Sequence, residues 1–233
     1  MFDTEKMIDI LIPTVAQGLL WALLALGVYI TFRVLDIADL SVEGSFPLGA
    51  AVAATALVNG YGMLIAFFLA AIAGALAGIV TGFFTTRLKI PALLAGILTM
   101  IGLYSVNLHV MGKANVALLR VDTIFSYAES FGMSATVAML TVGVVAAVFI
   151  GCLMYWFFGT EIGTAIRATG CNSQMARAQG VNTNRMIVLG LLISNALVAL
   201  SGALVAQSNG FADVGMGTGT IVIGLASVII GEV

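Results

Sequence analysis

Charge is scarce in this chain. Nine Lys/Arg and eleven Asp/Glu in 233 residues make 9% of the sequence charged, while 61% is hydrophobic. Soluble domains hold about 25% charged residues. With a mean hydropathy of +1.14, too little polarity remains to build a solvated surface, so the chain is an integral membrane protein. A net charge of −2 lacks the basic footprint of a nucleic-acid partner. Two cysteines, Cys152 in an apolar run and Cys171 in a polar loop, make no disulfide framework and read as free thiols. The one histidine, His109, sits near a span end and reads as a packing residue. There is no G-x-x-x-x-G-K-S/T phosphate loop, no H-E-x-x-H pair and no metal-ligand cluster. These absences argue against an enzyme, a resident metal and a cofactor. The opening nine residues are acidic, unlike the basic start of a cleavable signal.

Long apolar runs fill the rest. A spanning helix needs about 20 such residues. About seven spanning or half-spanning helices are expected, over 8–34, 46–59, 63–86, 92–110, 134–158, 187–209 and 219–230. Runs this long form helices rather than barrel strands. The second and last are short, and the last stops at Val233 without a polar flank. The expectation is one transmembrane domain over 1–233, truncated at its C-terminus. The three prolines fall near span starts: Pro13 in the first turns of span one, Pro47 opening span two, Pro91 opening span four. Glycine is abundant, at 27 residues, as close helix packing in lipid requires.

Lys/Arg in short loops orient the chain. Arg87 and Lys89 make their turn cytoplasmic, and the loop holding Arg167, Arg177 and Arg185 falls on the same side. Residues 112–132 are then outside, with Lys113 and Arg120 partly balanced by Asp122 and Glu129. The Arg33 region is inside, and Tyr61 and the acidic N-terminus are outside.

Two polar segments stand out. The first, 36–47, alternates Asp36, Asp39, Ser41, Glu43 and Ser45 with apolar residues. One reading is a solvated cytoplasmic turn. The other is a re-entrant segment of non-helical backbone at membrane depth, tolerated only where it lines a cavity or is buried in protein. Ser45 before Phe46-Pro47 reads as a helix N-cap whose free N–H groups would face that cavity. Ile37, Leu40, Val42 and Phe46 favour the membrane. A related pattern follows span six, where Asp213 precedes glycines, Thr218, Thr220 and a short apolar run. Gly18-Leu19-Leu20 with Ala25-Leu26-Gly27 is echoed by Gly190-Leu191-Leu192 with Ala199-Leu200-Ser201-Gly202. The two units run in opposite directions, the plan of an inverted repeat.

The second segment, 160–186, holds three of the nine Lys/Arg. It reads as two short helices, 161–169 and 173–179, stopped by Gly170 and Gly180. A simple turn needs far fewer residues, so this loop looks built to be held by something in the cytoplasm.

These two segments carry a resemblance. Asp39-Leu40-Ser41-Val42-Glu43-Gly44-Ser45 resembles the D-L-S-V-G-S motif of ribose- and xylose-type permeases. Those are membrane subunits of ATP-binding-cassette importers, in a family that includes branched-chain amino acid permeases. The stretch from Gly163 to Gly170, then Asn172 and Ala176-Arg177-Ala178-Gln179-Gly180-Val181-Asn182, is similar to that family's cytoplasmic coupling loop. The resemblance runs from about Gly18 to the end and is nearest to a shorter branch linked to aromatic amino acids. Three departures are visible. Glu43 interrupts the sugar-permease motif. Gln174, Met175, Ala176 and Gly180 form a degenerate E-A-A-x-x-x-G. The chain also begins one span later than the sugar permeases.

The resemblance implies a permease subunit in the bacterial inner membrane that imports a small polar solute, most simply an amino acid, without catalysis of its own. A separate ATPase subunit would grip Arg167, Ser173, Gln174, Ala176, Arg177 and Gly180. A solute-binding protein would deliver to the outer face, and a second permease copy would complete the path. Asp39, Ser41, Glu43, Gly44, Ser45 and Asp213 are the pathway candidates. The alternative is an ion-coupled secondary transporter, with Asp39, Glu43 or Asp213 binding protons or sodium.

Overall fold

The computed structural model describes residues 4–119 and 121–232, with side chains from Ile10 onward. Arg120, Val233 and the acidic N-terminal side chains of the reading above lie outside the described residues. Helix α1 spans Thr4–Tyr29 and continues as a π-helical turn, Ile30–Val34. It is followed by α2 (Val42–Val58), α3 (Met63–Thr86), α4 (Ala92–Met111), α5 (Ile124–Glu129), α6 (Ala135–Gly159), α7 (Glu161–Cys171), α8 (Ser173–Ala178), α9 (Thr183–Asn209) and α10 (Thr220–Gly231). Among the described residues, six stretches are long and apolar enough to cross a membrane: Ile10–Val34, Met63–Thr86, Ala92–Met111, Ala135–Gly159, Thr183–Asn209 and Val214–Gly231. Helix α2 is a shorter apolar helix. The fold is that of an all-α integral membrane protein.

Burial ranks the helices. In α9, 61% of the spanning window is buried, against 17–28% in the other five. Most of α2 is buried too, on every face. A helix apolar all round belongs inside a bundle. The periphery, chiefly α3, α4 and α6, offers its apolar side chains to lipid.

Small residues set the spacing. Ala66, Ala70, Gly74, Gly78 and Gly82 recur every fourth residue and form the buried stripe of α3. A Cβ at Gly74 or Gly78 would strike the α9 backbone at Asn195 or Leu191. Gly49 of α2 meets Ala199, and Gly202 of α9 meets Phe46, equally closely. Lipid gives apolar helices no hydrophobic reason to associate, so backbone approach and dispersion hold them together. Hydroxyls add cross-links: Ser194 Oγ donates to Gly27 O at 2.7 Å and Ser201 Oγ to Leu20 O at 2.8 Å, fixing α9 antiparallel to α1.

The two segments exchange partners. Helix α2, which follows α1, packs on α9. Helix α10, which follows α9, packs on α1, with Gly224 against Leu24 and Val28. Arg33 and Glu232, at the ends of these two segments, pair at 2.6 Å, which puts the end of α10 on the side of Arg33.

Several boundaries differ from the sequence reading. Helix α2 starts at Val42 rather than Phe46, with Ser41 at its N-cap position. Pro47 therefore lies inside the helix. Its missing N–H leaves Glu43 O without an intrahelical donor, and Gly217 packs directly against that carbonyl. Helix α9 starts at Thr183 rather than Ile187, capped by Asn182 Oδ1 on Arg185 N at 3.2 Å. Gly170 does not stop α7. It lies within the helix, where a Cβ would collide with Val34 O, and the break falls at Asn172.

Outside the bundle, Asn115–Ala117 (β1) and Phe211–Asp213 (β2) pair antiparallel, Asn115 opposite Asp213. Strands of three residues carry no periodicity, so the sequence does not announce them.

Candidate functional site

The 36–47 segment divides its polar groups between two sides. Asp39, Ser41 and Ser45 are buried at 3%, 0% and 0% exposure and meet Asn195, itself fully buried. Asp39 Oδ1 accepts Ser41 N–H at 2.8 Å and Oδ2 accepts Asn195 Nδ2 at 3.0 Å. Asn195 Oδ1 accepts from Ser41 Oγ at 3.1 Å and from Ser45 Oγ. Asn195 Nδ2 also reaches Leu191 O at 3.0 Å. Every side-chain polar atom in this group has a partner, as a low-dielectric interior demands.

The depth of the network follows from its neighbours. Asn195 is midway along α9 and faces Gly74, midway along α3. Gly96, in the second turn of α4, lies against Leu40 N and Asp39 Oδ1. The chain thus returns into the bundle after the π turn before α2 begins. Ser45 is not an N-cap: it sits in the first turn of α2 and bonds to Ser41 O at 3.1 Å. No side chain caps α2; Asp39 instead accepts the Ser41 N–H in a turn just before the helix.

Glu43 and Gly44 face another way. They border a cavity of about 460 Å³ between the start of α2, the middle of α4 and the 3-10 turn Val214–Gly217. Glu43 Oε1 accepts Gly219 N–H at 3.1 Å. Asn107 of α4 also lines the cavity and donates through Nδ2 to Gly44 O at 3.2 Å. Asp213 lies apart, on the outer strand β2, where it accepts from Gly215 N at 2.7 Å and Asn115 Nδ2 at 3.2 Å. The structure therefore gathers Asp39, Ser41 and Ser45 together, sets Glu43 and Gly44 beside a cavity, and leaves Asp213 at the outer rim.

Two residues join these groups without having been assigned to them from sequence. Asn195 and Asn107 are each an amide within an apolar span, a group that must face a polar path or bond to another helix. Their signal was chemical, an amide that hydrocarbon would not solvate; their partners were not legible.

On the cytoplasmic side, α7 and α8 form a bent pair. Ile166 is fully buried, and Arg167 Nη2 donates to Phe158 O at 2.9 Å, covering a carbonyl at the end of α6. Asn172 caps α8, its Oδ1 accepting Gln174 N at 3.1 Å and Met175 N at 3.0 Å. Ala176 alone of α8 is buried. Ser173, Gln174, Met175 and Arg177 are exposed, and Arg177 Nε bonds to Thr183 Oγ1 at 2.6 Å. Gly180, at φ +84, ends the unit, and Val181 N returns to Ala176 O at 3.0 Å. This is a glycine-terminated Schellman closure. The result is an ordered helix held by one buried alanine, with most of its surface free.

The sequence profile of the family described as branched-chain amino acid transport system / permease component matches residues 10–233. A tyrosine transport system permease protein of Clostridioides difficile is 42% identical over 192 residues, 82% of this chain and 62% of that protein. An uncharacterised protein of Rickettsia prowazekii is 36% identical over 193 residues, covering 83% and 66%. The autoinducer 2 import system permease protein LsrC of Yersinia pseudotuberculosis is 30% identical over 181 residues, covering 77% and 49%. The chain thus spans roughly half to two thirds of the length of these relatives. No solved structure matches. With six apolar spanning segments and a family match over almost its whole length, the chain is a multi-pass protein of the bacterial inner membrane and belongs to the branched-chain amino acid transport system / permease component family.

Proposed function

We propose that this chain is the membrane subunit of an ATP-binding-cassette importer that carries an amino acid into the cytoplasm. The observation that carries the reading is the α7–α8 unit. It is capped at Asn172, closed at Gly180 and anchored through Ala176, yet it presents Ser173, Gln174 and Arg177 to the cytoplasm. Ordering an exposed helix that buries so little makes sense where a partner grips it. A separate ATPase subunit fills that role. Closure of the ATPases would push on α8, and α7, packed against α9 and the π turn after α1, would pass the movement into the bundle.

Two copies pair around the path. Glu43, half-buried near the middle of α4, supports this, because a carboxylate at that depth is costly against lipid and acceptable against water or protein. A solute-binding protein delivers at the outer face, beside the β1–β2 pair. The amino acid as solute follows the tyrosine transport relative and the carboxylate at 43.

Co-purification of the tagged full-length chain from native membranes in mild detergent tests the reading. Recovery of an ATPase subunit, lost on Arg177→Glu with Gly180→Val, is the expected result. A chain recovered only with itself, from membranes that take up solute on an ion gradient, would overturn it in favour of a secondary carrier.

A further inference from the structure

The cavity beside Glu43 has a one-sided chemistry. Among the described residues, Glu43 is the only charged one lining it. Its Oε1 is engaged by Gly219 N–H, leaving Oε2 for another donor. Asn107 is fully buried, and because Nδ2 is committed to Gly44 O, its remaining polar atom is Oδ1. That oxygen is buried without a hydrogen-bond partner. An orphaned buried acceptor is rare and costs stability unless something fills it. The two atoms left over are thus both acceptors. They sit on groups joined through one peptide, since Asn107 bonds the carbonyl of the residue next to Glu43. Among the described residues, no Lys or Arg lines the cavity to neutralise them.

We propose that this cavity is an ammonium subsite on the solute path. Glu43 Oε2 and Asn107 Oδ1 receive the α-ammonium group of an amino acid. A primary ammonium brings three donors and a positive charge. It satisfies the orphaned oxygen and compensates the carboxylate with charge-assisted hydrogen bonds. Around it, the hydroxyls of Tyr104, Ser105 and Thr218 offer donors to the solute carboxylate, while Met100 and Ile101 form an apolar wall for its side chain. About 460 Å³ falls in the range of small-molecule sites. A neutral sugar would leave the Glu43 charge uncompensated, which sets this cavity against the sugar class.

The inference rests on the importer reading for its place on a path, but its test does not need that reading to hold. The full-length transporter, with whatever partners purify with it, is placed in lipid nanodiscs. Binding of tritiated L-tyrosine is measured and competed with tyramine, which keeps the ammonium, and with 3-(4-hydroxyphenyl)propanoate, which lacks it. In the unaltered protein, tyramine competes and the propanoate does not. Glu43→Gln keeps the acceptor for Gly219 N and removes the charge. It weakens L-tyrosine binding about 10- to 100-fold, the scale of one charge-assisted hydrogen bond. The propanoate competing as well as tyramine, no saturable binding of L-tyrosine, or Glu43→Gln within twofold of the unaltered protein each overturns the subsite. The propanoate comparison needs no variant, so a folding defect leaves it intact. Absence of an ATPase from the preparation, with ammonium-dependent binding retained, sinks the importer reading and spares the subsite.

Discussion

The mid-membrane network and the cytoplasmic α7–α8 unit use the same kinds of residue to opposite ends. Around Asn195, the polar side chains turn inward and bond to one another, and Asp39, Ser41 and Ser45 have almost no exposure. In α8, one side chain is buried and the polar ones turn outward. Polar groups inside the bundle fix which helices touch and at what depth. Polar groups on α8 contribute little to that: apart from the Arg177–Thr183 bond, they stay exposed. The difference separates residues that hold the fold from residues that the proposed assembly would use.

The comparison breaks most sharply at its hub. Asn195→Leu leaves the Asp39 carboxylate and the Ser41 hydroxyl without their partner on α9. A loss of about 3–5 kcal/mol is expected, because the stranded group is a buried carboxylate. Poor insertion and a collapsed thermal transition in detergent are the readouts. Near-normal melting would show that water or a rearranged Asp39 replaces the amide.

Gly78→Val tests whether the inner region is as closely packed as its glycines imply. The new side chain meets the α9 backbone at Leu191, and overpacking costs about 1–3 kcal/mol where the helices can separate. A lowered melting temperature is expected; an unchanged one would mean that α3 and α9 slide apart freely.

Gly180→Val sharpens the other half. A β-branched residue at φ +84 costs about 1–2 kcal/mol locally, with nothing nearby to clash. Melting should shift little, while solute-stimulated ATP hydrolysis by the assembled complex falls away. If hydrolysis stays coupled to solute, the unit is not the point of grip.

The smallest effect belongs to Arg33→Ala. Its pair with Glu232 is solvent-exposed on both sides, at 62% and 38%. A change of about 0–1 kcal/mol in stability is expected, shrinking further with added salt. A larger loss would show that the ends of α1 and α10 are locked together more firmly than an exposed pair allows.

The stretch from Asp39 to Ser45 shows where sequence reading reached and where it stopped. Its acids and hydroxyls marked it as important. With the helix start placed at Phe46, however, residues 41–45 carried no helical phase. Once α2 begins at Val42, Ser41 and Ser45 fall four apart on one face, and Glu43 falls on the other. One motif therefore feeds two environments. In the cytoplasmic loop, Gly180 was legible as a stop because a positive φ is a local demand. Gly170 was misread because its need is tertiary, contact with Val34 O.

By itself, the sequence determined the membrane class, the spans to within about a turn and the existence of two polar segments. Hydropathy, loop charge and capping chemistry are short-range properties, written where they act. Only the tertiary structure decided that Asn195 closes the Asp39 network, that α2 lies inside the bundle, and that Glu43 shares a cavity with Asn107. Each of these joins residues far apart in the chain. What selects them is the close fit of glycine-lined backbones, which no short window of sequence encodes.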